Sequence, residues 1–528
     1  MNPGSSDQRV LTTTIADTSL ASHEVTTDST DPMDLVVEEK PHSLFTRQQK
    51  MAITVLVSVA SVFSPMSATI YVPALPTIAD DLGVSVSLVN LSVTSYMIFQ
   101  GLSPSLWGSL TDVLGRRPIY LITLVVYIGA CIGLSMTDNY AELIVFRCLQ
   151  STGSASTIAI GAGVIGDMTQ RRERGGYIGL YSAGSLVGNA VGPILGGIFA
   201  QKTGWHGIFY FLVAFAGVFV GILFLVLPET LRAIVDNGSL TPGPSYLHRP
   251  VFNWLTPAGA QAPTAANPRP PRKKIDILAP FKMMFLAEVF CGLIFTALNY
   301  TVWQAVLVAT SSLFQTVYHL SEISIGLSFI ANGVGAVSAS LVIGRVLNYD
   351  YQRAQRREKS QADEEVDLQR VATTLRPVNN IERTRLRWAP LMIFVFMATT
   401  LAYGWCIEAK TTVALPILWT FFTGFTTTAI MSMFSTLVVD WYPDSGASAT
   451  AAINLARCLL GAGGTAAVQP MIDRIGIGWT CTVGTGIVLA SLPLGLLTYV
   501  KGGSWRSQRQ VKATARSNRS VQDVKSGR

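Results

Sequence analysis

The residues of this chain that could do chemistry are few, and most stand inside or at the edge of long apolar stretches. Arg147 lies in Leu143-Ile-Val-Phe-Arg147-Cys-Leu-Gln150-Ser151-Thr-Gly153. A guanidinium in so apolar a setting costs roughly 3 kcal/mol to insert, so it faces a cavity or a partner. Beside an acid it would lower that acid's pKa and set when a proton leaves; a purely structural ion pair is the other reading of the same residue. The acids within or bordering such stretches are Asp112, Asp167, Glu288, Glu322 and Asp440. Glu288, with Asp167, is the expected proton-handling carboxylate, because an acid held at raised pKa by burial can load and release a proton. A place for Glu288 at the rim fits the sequence equally. Asp112 is followed by Arg116 and Arg117, which sets a carboxylate and two cations at the border of an apolar stretch, where charge is costly unless paired.

Two further groups of residues bear on transport of something through a low-dielectric interior. Asn299, Tyr300, Trp303 and Gln304 fall in one apolar stretch and Asn332 in the next. Polar side chains among aromatics suit a cavity for amphipathic organic molecules, and the same residue types also bind helices to one another. Gly184, Gly188 and Gly192 recur every fourth residue, followed by Pro193, Gly196 and Gly197. That period lines one helix face with hydrogen atoms and lets a neighbour pack very close. Pro193 removes a backbone donor and weakens the ladder locally. Enzyme signatures such as G-x-S-x-G, H-E-x-x-H or a phosphate loop do not occur, and His42, His206, His248 and His319 are scattered. No enzymatic activity, metal or cofactor is expected. Cys131, Cys148, Cys291, Cys406, Cys458 and Cys481 have neither zinc-like nor disulfide-framework spacing.

The elements that must position these residues follow from hydropathy. Of 528 residues 49% are hydrophobic and only 13% charged, against about 25% charged in soluble domains. Segments of about 20 apolar residues cross a hydrocarbon core, and twelve are legible, near 51–75, 88–110, 118–137, 141–164, 176–200, 205–227, 284–312, 321–347, 388–407, 413–439, 445–470 and 477–500. Bends are expected at Pro73, Pro193 and Pro416. The fold class is an all-α membrane protein of twelve transmembrane helices in two six-helix bundles, 45–228 and 284–500. Residues 1–44 read as a disordered acidic tail and 229–283 as a linker, Pro-rich from Pro242 to Lys274. Residues 348–387 form a long charged loop, in which Arg353–Arg370 reads as an interfacial helix or a solvated charge run, and 501–528 a basic tail.

The formal charge of +7 reflects basic loops on one side: Arg116, Arg117, Arg171, Arg172, Arg174, Arg269–Lys274, Arg353, Arg356, Arg357 and the last tail. Lys202, Lys410 and Arg474 are the basic residues of the opposite loops. By the positive-inside rule both termini are cytoplasmic, and the charge implies a lipid partner and no nucleic acid. Gly108-Ser-Leu110-Thr-Asp112 through Arg117 finds a weaker echo at Gly344-Arg-Val-Leu347-Asn348, and Asp167 and Asp440 end the fourth and tenth segments. Duplication of a six-helix unit is the reading this suggests.

On these residues the chain resembles the major facilitator superfamily over 45–500, and within it the fungal twelve-helix drug:proton antiporters of the multidrug and polyamine branch. The resemblance implies that Gly108, Asp112, Gly115, Arg116 and Arg117 form the loop that latches the halves in the outward-facing state. It implies that Arg147 takes part in proton coupling, with Ser151 where the family usually has glycine. It also implies that Gly184, Gly188, Gly192, Pro193, Gly196 and Gly197 are the antiporter signature that seals a leak path. The family's frequent first-helix carboxylate is missing from Ser64-Pro-Met-Ser-Ala-Thr69. The expected function is proton-coupled efflux of small organic molecules by a monomer in the plasma membrane. The alternative is a facilitator or uptake permease for a sugar, polyol, polyamine or organic acid.

Overall fold

Each of the twelve apolar segments falls largely on a helix in the computed structural model. It describes residues 43–170, 173–242, 245–257, 260–262, 278–365, 381–442 and 446–525. The acidic tail as far as 42, the Arg269–Lys274 cluster, Arg171, Arg172 and residues 366–380 lie outside the described residues. The long helices are α1 (Arg47–Thr69), α2 (Val86–Leu114), α3 (Arg116–Ser135), α4 (Tyr140–Met168), α5 (Arg174–Thr203) and α6 (His206–Val226). After the linker come α7 (Ala287–Tyr318), α8 (Glu322–Glu365), α9 (Ala389–Glu408) and α10 (Ala414–Trp441). The last run, Gly446–Lys525, breaks at Gly476 (φ 76°) into α11 (446–475) and α12 (477–525). Among the described residues ten helices meet the length and apolarity of a membrane span. One of these, Ser448–Arg506, contains both α11 and α12, and the Ser- and Thr-rich α2 is not among the ten. Strand pairing among the described residues is confined to one isolated bridge, Leu240–Gln261.

Helix starts follow the local sequence. Thr46 and Gln49 form a reciprocal capping box at α1, and Ser85 and Asn139 cap α2 and α4 through their side chains. The expected bends are realised unevenly. Pro73 lies in a 3₁₀ turn, Val72–Ala74, that ends α1 and leads into the short helix Leu75–Asp81. Pro193 stays within a continuous α5. Pro416 falls in the first turn of α10, where its missing N–H would have no helical partner anyway, so it begins a helix and bends nothing. Residues 353–365 of the charged loop continue α8 as helix.

At the end of the bundle that holds Gly115, the helices of each set are tied by buried charge. Arg116 Nε donates to Asp167 Oδ2 at 3.0 Å, joining α3 to α4. Arg385 Nε donates to Asp440 Oδ2 at 2.8 Å at the corresponding end of α10. Buried Glu229 accepts from four backbone amides, those of Arg116 (2.9 Å), Arg117 (3.3 Å), Thr230 (2.9 Å) and Leu231 (2.9 Å). Gly115 has φ 110°, and a side chain there would run into the Glu229 carboxylate. Arg117 is fully buried, donating to the carbonyls of Phe224 and Tyr246.

Candidate functional site

Among the described residues, contacts between the first six long helices and the last six gather in the middle of the bundle and at the end away from Gly115. In the middle α2 lies on α11. Gly101 leaves room for Cys458 and Leu455, Thr94 Oγ1 donates to the Ala462 carbonyl at 3.4 Å, and Asn454 Nδ2 donates to the Gln100 carbonyl at 3.0 Å. At the far end the Thr77 hydroxyl donates to the Glu322 carboxylate, and the Ile323 amide donates to Gln201 Oε1 at 3.2 Å. Ser311 Oγ donates to the Pro73 carbonyl at 3.3 Å.

The glycine string has two separate faces. Gly184, Gly188, Gly192 and Gly196 lie against the α1 carbonyls of Ser58, Val62, Met66 and Ile70, each a helical turn apart, so α1 and α5 run side by side in the same direction. Any side chain at Gly184 or Gly196 would overlap backbone atoms of α1. Pro193 and Gly197, one turn apart, face α8 instead. The Pro193 carbonyl abuts Gly326, Gly197 abuts the Glu322 backbone, and Ala190 abuts Gly333. Sequence reasoning missed Gly326 and Gly333, although their seven-residue spacing puts them on one helix face.

Arg147 is fully buried and meets no carboxylate among the described residues. Its Nη1 donates to Gln150 Oε1 at 2.7 Å and to the Ser67 carbonyl at 3.2 Å. Its Cζ stands 4.3 Å from the Tyr71 ring centroid and 4.4 Å from that of Tyr96, a cation–π sandwich. Its Nε and Nη2 are buried without a hydrogen-bond partner among the described residues. The two readings left open by the sequence, a tuned acid or a structural ion pair, both presupposed a neighbouring carboxylate. Arg457 on α11, half-buried, repeats the pattern: Nη2 donates to Asn454 Oδ1 at 2.6 Å and Cζ lies 4.7 Å from the Tyr300 ring.

Tyr300 donates to Gln304 Oε1 at 3.3 Å, and Trp303 Nε1 donates to Asn332 Oδ1 at 3.1 Å, joining α7 to α8. Trp303 and Asn332 line a narrow cleft with Val306, Thr310, Phe329 and Thr423. Asn299 is fully buried, and its Nδ2 donates to the Phe295 carbonyl of its own helix at 2.8 Å. The expected cavity set therefore divides, with Trp303 and Asn332 on the cleft and Asn299 packed away from solvent.

The remaining candidates lie at the Gly115 end. Asp112, half-exposed, pairs with Arg116 at 2.9 Å. Among the described residues no atom lies within 4 Å of where a side chain on Gly108 would begin, so this glycine serves no close packing in the present conformation. Glu288 stands in the first turn of α7, paired with Arg509 of the α12 extension at 2.6 Å and accepting from the Tyr442 hydroxyl. Burial and that carboxylate raise the pKa of the Tyr442 phenol. The acids named from the sequence are thus all at the ends of helices, engaged by Arg116, Arg385, Arg509 or Thr77.

Comparison with known proteins places this geometry. The sequence profile of the Major Facilitator Superfamily matches residues 57–357. The chain is 40% identical over 486 residues to "Citrate exporter 1" of Aspergillus niger, covering 91% of each chain. It is 33% identical to "MFS antiporter QDR2" of Candida albicans, covering 86% of this chain and 88% of that one. Its fold is similar to that of the xylose transporter XylE from E. coli in a partially occluded inward-open conformation, with a TM-score of 0.59 at 12% identity over 86% of this chain and 97% of that one.

Proposed function

The chain belongs to the major facilitator superfamily, and from that premise we propose that this multi-pass membrane transporter, not an enzyme, is a proton-coupled exporter of small organic molecules. The observation that carries the reading is the double engagement of α5. One face of its glycine string is held on the α1 backbone, and the other meets Gly326 and Gly333 of α8. A seam made mainly of backbone and hydrogen atoms, crossed by the one hydrogen bond already given from the Ile323 amide to Gln201, excludes water and can part at little cost, which suits a gate that must not leak protons. The relatives named for citrate export and for antiport favour outward exchange over uptake.

On this reading the bundles 45–228 and 284–500 rock about the central contacts. Both termini face the cytoplasm, the membrane is the plasma membrane, and the working unit is a monomer. With α5 closed on α8, the conformation described here is the inward-facing one. Gly108, Asp112, Gly115, Arg116 and Arg117 form the latch of the opposite state, when Asp112 exchanges its Arg116 partner for one across the halves. Arg147, Asp167 and Glu288 couple the proton, and Tyr300, Trp303, Gln304 and Asn332 border the cargo.

Purified protein in liposomes with an imposed proton gradient tests this. We expect uptake of at least one member of a panel of organic acids, polyamines and drugs against its own gradient. That uptake should collapse with a protonophore and be lost in Asp112→Asn, while Glu288→Gln keeps binding but loses the gradient's drive. Equilibration indifferent to the gradient would make the protein a facilitator and overturn the proposal.

A further inference from the structure

Among the described residues, two guanidiniums in the membrane interior lack a counter-ion. Arg147 is held by Gln150, a carbonyl and two phenol rings, and Arg457 by Asn454 and one phenol ring, every one of them formally neutral. The acids near the spans are committed elsewhere. Asp112 and Asp167 are on Arg116, Asp440 on Arg385, Glu288 on Arg509, and Glu322 on Thr77. Glu408 accepts the Ile477 and Gly478 amides at 3.1 and 3.3 Å. A buried cation without an anion is costly, and removing a partner from a buried pair is more costly still. Retaining two such cations implies that the anion arrives as a ligand.

The two arginines also converge. Tyr96 and Gln100 are successive turns of one face of α2. Arg147 stacks on Tyr96, and Tyr96 donates to the Ser64 carbonyl at 3.0 Å. Gln100 donates to Ser64 Oγ at 3.1 Å, and its carbonyl takes Asn454, which in turn takes Arg457. One polar chain therefore runs from Arg147 in the first six helices to Arg457 in the last six, along the contact between them. Arg457 is the half-buried, reachable end; Arg147, roofed by Tyr71 and Tyr96, keeps two N–H groups unpaired behind it.

We propose that Arg457 and Arg147 together form the seat of an anionic cargo, a small organic acid bearing two or more carboxylates. One carboxylate sits on Arg457 through the fork geometry that guanidinium offers, and the charge of Arg147 holds the remainder. Gln100, Asn454, Tyr300 and Gln304 supply the neutral hydrogen bonds around it. The inference rests on the exporter reading for the direction of transport, and on the geometry alone for the charge of the cargo.

Binding to the purified full-length protein, measured by calorimetry in detergent, tests it with three probes: tricarballylate, succinate and trimethyl tricarballylate, which has the tricarboxylate skeleton without charge. The free acids are expected to bind and the triester not to. Arg457→Gln should weaken tricarballylate by at least about tenfold and Arg457→Lys by less. Equal binding of the triester by the unaltered protein overturns the proposal without any variant, and so does an unchanged affinity in Arg457→Gln. Carboxylate binding without gradient-driven flux in liposomes would leave the anion seat standing and sink the exporter reading. Gradient-driven flux of cationic drugs with no carboxylate binding would do the reverse.

Discussion

Gly326→Leu is expected to stop transport by keeping α5 and α8 apart. The first carbon of any side chain at Gly326 would lie 2.5 Å from the Pro193 carbonyl oxygen, a backbone atom held by a continuous helix. It cannot move without shifting α5, and α5 is itself keyed to α1 by Gly184, Gly188, Gly192 and Gly196. Overpacking of this kind costs about 2 kcal/mol, which moves a two-state equilibrium by roughly thirtyfold. The measurement is the reaction of a cysteine placed at Gln201, whose side chain bonds the Ile323 amide across the closed seam, together with flux. Labelling should rise and flux fall by at least tenfold, about what such a shift supplies. Labelling and flux like those of the unaltered protein would show that the seam does not gate.

The second large effect concerns folding of the Gly115 end. Glu229→Ala removes the acceptor of four backbone amides, two of them at the start of α3, and leaves them facing a space emptied of its carboxylate. Unsatisfied buried donors put the loss at about 3 kcal/mol. Glu229→Gln, which keeps one carbonyl oxygen, should lose less. Glu173 is the comparison: it pairs with Lys50 at 2.6 Å with its side chain 36% exposed. Its replacement by alanine should therefore cost no more than about 1 kcal/mol. Thermal unfolding in detergent distinguishes the cases, and equal midpoints for Glu229→Ala and Glu173→Ala would refute the role given to Glu229.

What the sequence made legible, and what it hid, divides along the range of the interactions. The helical segments could be read because a run of 20 apolar residues is its own signal, whatever it packs against. The four glycines that face α1 were readable because their period is a property of α5 alone. That Pro193 and Gly197 look the other way, toward Gly326, was not, since it depends on α8. Likewise the sequence marked Asp167 and Asp440 as ends of segments, but their partners Arg116 and Arg385 come from other helices. Glu288 reads as a membrane acid until Arg509, 221 residues later, is seen to reach it. Most of the groups around Arg147, the Ser67 carbonyl and the Tyr71 and Tyr96 rings, likewise come from other parts of the chain. A cation can be located from one stretch of sequence, while the lack of an anion is a property of the whole interior.

That uncompensated charge has an electrical consequence. A carrier whose empty site holds two guanidiniums moves positive charge when the site changes sides, and the membrane potential acts on it with about 2.3 kcal/mol per charge for each 100 mV. Loaded with a doubly charged anion, the same site is neutral, and the field has little hold on it. A cell interior kept negative would then draw the empty site back toward the cytoplasm after every release. Voltage would then bias the cycle outward.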